Sequence, residues 1–344
     1  MTQDYQGRYA QFAVADDPSL PEHFQNYAID KNKIGEGPIS FCYRARRVDT
    51  NEPVRLKVLR RRLSQNSELV ELFHKQARLF PEYRGDAIQP YRGWTSHNDI
   101  VMWEFAFVEG HSLRSIIDEN APLHPDLVGL IAQGIMQALN QIHGVRPSPG
   151  MGNLIPLHKN LKPENVFLTN SGKIVITDID MLPFCRLADR LKLDLPYPLN
   201  VYEAPEQLLK NGYADRRSDI YSLGLIMFEM ATGRRPYFGN NIFEVRQNVR
   251  ENLHDNLDSL YPSYQDAAVK SLSKSLARLI SQMVEHNPEK RIQTLLDLEG
   301  ALLNYFKGAA YDYPAKTLAD FLKLRSFQTE RARKKGFIDR LFGG

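Results

Sequence analysis

His158-Lys159-Asn160-Leu161-Lys162-Pro163-Glu164-Asn165 is the stretch on which the reading of this chain turns. It follows the apolar-periodic segment LVGLIAQGIMQALNQIH (127–143), whose spacing is that of a buried helix, and a Pro- and Gly-bearing connection. Working outward, other signals fall in a fixed order. Upstream lie Gly35-Glu36-Gly37 ahead of a strand pattern, then Lys57 inside Val54-Arg55-Leu56-Lys57. Downstream lie Asp178-Ile179-Asp180 after the strand-like KIVIT, Ala204-Pro205-Glu206, the run Ser218-Asp219-Ile220-Tyr221-Ser222-Leu223-Gly224, and Arg291 after HNPEK.

The surroundings of these signals are those of an ordinary globular chain. Its 344 residues include 44 Lys+Arg against 41 Asp+Glu, with 42% hydrophobic and 25% charged residues, which excludes disordered and collagen-like classes. At this length one core stops growing, so two lobes are expected. Cys42 and Cys185 are the only cysteines, too few for a disulfide framework or a zinc site and in keeping with a reducing compartment. The opening MTQDYQGRYAQF lacks a basic region followed by an apolar run, and no run of about eighteen apolar residues marks a membrane span, so the expected location is cytoplasmic.

Four regions are expected. Residues 1–26 form a polar N-terminal arm. Residues 27–107 alternate apolar segments (FCYRARRV, VRLKVL, DIVMWEFAF) around one helical stretch near Ser67–Phe80, which predicts a small antiparallel sheet with one helix. Residues 108–310 turn mainly helical, and AFVEGHSL between the two is short enough for a hinge. Residues 311–344 are a basic, amphipathic tail.

In order and spacing the motifs resemble the eukaryotic-type protein kinases over about residues 27–306. The resemblance implies an α+β, bilobal protein-kinase fold. It further implies that Glu206 and Arg291 form a buried ion pair, that Asp219 holds the catalytic-loop backbone, and that Phe80, His158 and Ile179 belong to an apolar column linking the lobes. These are roles in stability and carry no argument for catalysis.

The resemblance implies ATP and Mg²⁺ as cofactors, and the altered positions weigh against their use. Phosphoryl transfer on this fold needs a carboxylate at the acceptor hydroxyl, metal-holding groups, a lysine on the phosphates and a glutamate to fix it. Asn160 stands in the catalytic-aspartate position, where a neutral amide cannot act as base, although Lys162 is retained. Gln76 stands where the glutamate belongs, with Glu68 or Glu71 as substitutes if the helix register is rotated. Gly35, Gly37 and Lys57 remain as nucleotide-binding residues and Asn165 and Asp178 as metal ligands, while Pro38 removes a donor N–H and Ser40 replaces the third glycine. In a strand, residues two apart share a face, so Arg55 enters the same cleft as Lys57 where relatives carry alanine. With Cys42 above and Phe167 below, Arg55 either fills the adenine slot by stacking on Phe167 or stacks on a bound base. Asp180 replaces a glycine, adding a carboxylate beside the metal position. From Asp178 to Glu206 there is no Ser or Thr, leaving Tyr197 and Tyr202 as the hydroxyls there, and Leu199 replaces the threonine that bridges to the catalytic aspartate in relatives.

The expected function is a catalytically impaired pseudokinase acting as a scaffold or allosteric partner of another protein. The alternative is an active Ser/Thr kinase of low or unconventional activity. The loop GVRPSPGMGNLIPL (144–157) is longer than its counterpart in relatives and is either a solvated excursion or a partner surface. Residues 315–344 hold eight Lys/Arg and three Asp/Glu, leaving 36 against 38 in the rest. Within that tail, basic Arg331, Arg333, Lys334 and Lys335 precede apolar Phe337, Ile338, Leu341 and Phe342. Peripheral contact of 331–344 with the inner face of a membrane, docking on the chain's own fold and burial in a protein groove all stay open. Nucleic acid is not an expected partner, since basic residues are not interleaved with aromatics along a groove.

Overall fold

The computed structural model describes residues 20–146, 148–149, 155–191, 201–209, 212–237, 239, 242–252, 267–306 and 318–323. Tyr197, Leu199, residues 150–154 of the long loop and the tail segment 331–344 lie outside the described residues.

The first lobe is built on period-two patterning. Strands β1 (His23–Phe24), β2 (Tyr27–Glu36), β3 (Ser40–Arg47), β4 (Pro53–Leu59), β5 (Tyr91–His97) and β6 (Ile100–Ala106) form one antiparallel sheet in the order β1-β2-β3-β4-β6-β5. On β4, Val54, Leu56 and Val58 are fully buried on one face with Phe41, Ala45 and Met102. The alternate residues Arg55 and Lys57 therefore point to the opposite face, toward the second lobe. That face is covered by α1 (Arg61–Ser64) and α2 (Ser67–Leu79). Asn66 caps α2 by accepting a hydrogen bond from the Leu69 amide at 3.1 Å, and Leu69, Phe73, Gln76 and Ala77 share its buried side. Phe73 stacks on Trp103 of β6 with ring centroids 4.3 Å apart. The sequence predicts one helix here, and the four-residue α1 is additional. The end of the arm is also part of the sheet, through β1.

The second lobe contains a small sheet, β7 (Gly110–Ser112), β8 (Val166–Thr169) and β9 (Ile174–Ile176). Its helices are α3 (Leu113–Asn120), α4 (Pro125–His143), α5 (Leu182–Arg190), α6 (Arg216–Thr232), α7 (Ile242–Arg250), α8 (Ala267–Met283) and α9 (Leu295–Tyr305). Helix α6 is buried continuously from Ser218 to Ala231, so this stretch has no solvent face and forms the centre of the lobe. Leu318 and Leu322, from the start of the tail, are buried in the same core. Among the described residues no helix is long and apolar enough to cross a membrane.

Gly224 of α6 marks a close helix contact. A Cβ placed there would lie 2.8 Å from Met283 Cβ and 2.8 Å from Val284 Cγ1. The outcome expected for Gly224→Ala is a loss of about 1–3 kcal/mol from forced separation of α6 and α8, despite the better helix propensity of alanine, measured by urea unfolding. An unchanged midpoint would show that the helices yield without cost.

Candidate functional site between the lobes

The site is assembled from β3, β4, the hinge after β6 and the two loops that flank β8 and β9. From β4, Lys57 Nζ lies 2.7 Å from Asp178 Oδ1, and Arg55 Nη2 donates to Asp178 Oδ2 at 3.1 Å. The same guanidinium reaches Cys42 Sγ at 3.2 Å, and its Nη1 donates to Gln89 Oε1 at 3.1 Å. Gln89 in turn donates from Nε2 to the carbonyl of Ala106, at the start of the hinge, at 2.7 Å. Burial raises the Asp178 carboxyl, and the neighbouring Arg55 and Lys57 cations override it, holding the group well below the ordinary carboxylate range. Burial likewise pulls the Arg55 guanidinium down, and Asp178 more than restores it. Beside Asp178 lies a cavity of about 20 Å³ bounded by Phe80, Tyr83, Gln89, Phe105 and Ile179, room for roughly one water.

Arg55 is thus engaged by Asp178, Gln89 and Cys42, while Phe167 sits half-buried on β8. Gln89 was not foreseen. A single glutamine in a loop has no periodicity or spacing to single it out, and only the fold carries it to the hinge.

The catalytic-loop residues are brought together as a hydrogen-bonded turn. The Asn160 amide group donates from Nδ2 to the Asp178 carbonyl at 3.4 Å, and Asn165 Nδ2 donates to the Asn160 carbonyl at 2.8 Å. Lys162 is partly exposed at the start of the short turn Pro163–Asn165. Lys159, Asp178 and Asp180 all adopt the left-handed region, with φ of 57°, 58° and 56°. At Asp180, which stands where relatives carry a glycine, this conformation costs backbone freedom that a glycine would not.

Asp180 does not face the metal position alone. Its Oδ1 lies 2.9 Å from Lys159 Nζ, and Gln76 Nε2 donates to its carbonyl at 3.2 Å and its Oδ2 at 3.5 Å. Burial raises the Asp180 carboxyl, partly offset by Lys159. The α2 register therefore puts Gln76 inward. Glu71 is exposed, and Glu68 pairs on the surface with Arg190 at 2.9 Å, so neither substitutes for the missing glutamate.

At the glycine turn, Gly37 N donates to Ser40 O at 2.9 Å, and the Gly37 carbonyl accepts from Arg60 Nε at 3.0 Å and Nη2 at 2.9 Å. Arg60, itself buried, also pairs with Glu36 at 2.7 Å and lies over the Phe41 ring. Gly35 is paired with Cys42 across β2 and β3.

The supporting residues stand where the resemblance puts them. Arg291 grips Glu206 through two hydrogen bonds of 2.9 and 3.1 Å. Asp219 accepts from the amides of His158 at 2.8 Å and Lys159 at 3.0 Å and pairs with His143 at 2.8 Å. Burial raises the Asp219 carboxyl, and His143 and these donors pull it below its ordinary value. Phe80, His158 and Ile179 are all buried. Tyr202 is buried and its hydroxyl donates to Glu229, so it is not available as a modification site in this conformation.

Comparison with known proteins gives this geometry a family. The sequence pattern of the protein kinase domain matches residues 28–299. The chain belongs to the protein kinase domain family. Similar proteins include a probable serine/threonine-protein kinase of Clostridium perfringens, 29% identical over 208 residues, covering 60% of this chain and 29% of that protein. The serine/threonine-protein kinase PknL of Mycobacterium tuberculosis is 26% identical over 215 residues, covering 62% and 51%. PrkC of Bacillus subtilis is 27% identical over 212 residues, covering 62% and 31%. The chain thus spans about half or less of the length of these relatives. Among solved structures, the kinase domain of M. tuberculosis PknI superposes with a TM-score of 0.60 at 17% identity, covering 83% of this chain and 99% of that one, which shows the bilobal kinase fold.

As a kinase domain, this chain inherits an implied ATP–Mg²⁺ site, and its residues do not fit the metal. Both oxygens of Asp178 are engaged by cations and both oxygens of Asp180 face Lys159 or Gln76, while Asn165 donates from Nδ2 to the Asn160 carbonyl.

Proposed function

We propose that this kinase domain is a pseudokinase, a scaffold or allosteric partner that engages another protein and transfers no phosphate. The observation that carries the reading is the engagement of Asp178 by Arg55 and Lys57, with Arg55 tied through Gln89 to the hinge. Chemistry on this fold needs that carboxylate for the metal and a second carboxylate for the acceptor hydroxyl; the first is neutralised and the second is Asn160. An active kinase is the alternative, favoured by the retention of Lys57, Asn165 and Asp178 and by relatives named as serine/threonine kinases.

The test is incorporation of labelled phosphate from ATP with Mg²⁺, into the chain itself and into a generic acceptor protein, alongside calorimetric titration with ATP–Mg²⁺. Expected are no incorporation above that of Asp178→Ala and no saturable micromolar binding. Asn160→Asp is expected to remain inactive as well, because the restored carboxylate leaves Asp178 engaged. Incorporation by the native chain that vanishes in Asp178→Ala overturns the pseudokinase reading.

A further inference from the structure

Two cations share one buried carboxylate in the cleft. Lys57 and Arg55 approach different oxygens of Asp178, at 2.7 and 3.1 Å, and all three side chains are largely screened from water. A divalent ion held by Asp178 would have to share these same carboxylate oxygens. It would also enter beside two positive charges that only one negative charge balances, in surroundings where like charges are poorly screened.

The guanidinium is not placed there by Asp178 alone. Gln89 holds Nη1 from the hinge side and Cys42 lies against Nη2 from β3, so two further groups seat the fork besides the carboxylate. Gln89 is itself fixed by the Ala106 carbonyl. A planar fork with several donors suits this multi-point seat, which a lysine ammonium would not fill.

We infer that the Arg55 guanidinium is a built-in replacement for the divalent metal ion. The chain neutralises Asp178 with its own cation, the interlobe cleft is complete without metal, and removing the guanidinium turns Asp178 back into a metal ligand. The inference rests on the arrangement of the cleft given above but is separable from the absence of phosphoryl transfer.

The readout is methyl NMR of the native chain titrated with Mn²⁺. The methyl groups of Ile176 and Ile179, which line the cavity beside Asp178, report a paramagnetic ion at that carboxylate without any substitution. In the native chain these methyls are expected to keep their line widths in millimolar Mn²⁺. In Arg55→Met, which preserves side-chain bulk while deleting the charge, they are expected to broaden, with Mn²⁺ affinity raised about tenfold or more. Broadening in the native chain overturns the inference, and so does a folded Arg55→Met that binds Mn²⁺ no better. If Arg55→Met fails to fold, the native titration alone decides. ATP binding that is equal in Mn²⁺ and in chelator argues against a filled adenine slot while supporting the metal replacement, so the two ideas fail separately.

Discussion

Arg291→Ala is expected to cost about 3–5 kcal/mol, the range for removing one partner of a buried, hydrogen-bonded charge pair. The reason lies in what the guanidinium leaves behind. Glu206 is 4% exposed and would keep a buried carboxylate with Ser218 Oγ, at 2.7 Å, as its remaining side-chain donor among the described residues. Three backbone carbonyls would lose a donor at the same time, those of Arg217 at 2.9 Å, Glu285 at 3.0 Å and His286 at 3.4 Å. The flat face of the guanidinium also covers the Tyr221 ring, 4.7 Å from its centroid, inside the central helix α6. Arg291→Lys is expected to recover little, since an ammonium cannot make the paired contacts to Glu206 or cover the ring. Chemical denaturation of the three proteins measures this. A cost for Arg291→Ala below about 1 kcal/mol, the value of a surface ion pair, would remove Glu206–Arg291 from the stabilising core of the domain.

The parts of the fold legible in the sequence were those where one local rule dominates. Val54-Arg55-Leu56-Lys57 alternates strictly, so its two faces were assigned without structure, and the cleft received Arg55 and Lys57 as the period requires. The α2 register was legible for the same reason, since Phe73, Gln76 and Ala77 fall on one side of a helix. Strand β5 escaped because Tyr91–His97 is an edge strand, half-exposed and containing Gly93, and offers little apolar contrast. Helix α5 escaped because its short apolar set only acquires a partner surface when the first lobe is already folded. At the site, the residue types were legible and their pairing was not. Among the described residues the Arg55 guanidinium bonds to Asp178, Gln89 and Cys42, partners up to 123 residues away that no local pattern singles out.

Phe184→Ala is the second large expected effect, about 3–5 kcal/mol for emptying a fully buried aromatic site. Phe184 belongs to α5, which follows Asp178-Ile179-Asp180 directly, yet its ring packs edge-on against Trp103 of the first lobe at 5.3 Å. It lies in one cluster with Leu63, Leu69, Phe73 and Phe80, and Leu187 and Leu191 border the same cluster. The segment after the site is therefore wedged beneath α2, and this wedge accompanies the contacts Gln76 makes to Asp180. Truncating the ring is expected to loosen α5 as well as to destabilise the domain. Hydrogen exchange should accelerate at the amides of 182–191 and of α2 before it accelerates in α6, whose packing does not involve Phe184. The exposed contact between α5 and α2, Arg190 to Glu68, supplies the control: Arg190→Ala is expected to change stability by no more than about 0.5 kcal/mol. If Phe184→Ala proves as mild as Arg190→Ala, or if exchange rises uniformly over both lobes, α5 does not wedge the lobes together. The closed cleft would then rest on the Arg55, Lys57 and Asp178 contacts alone.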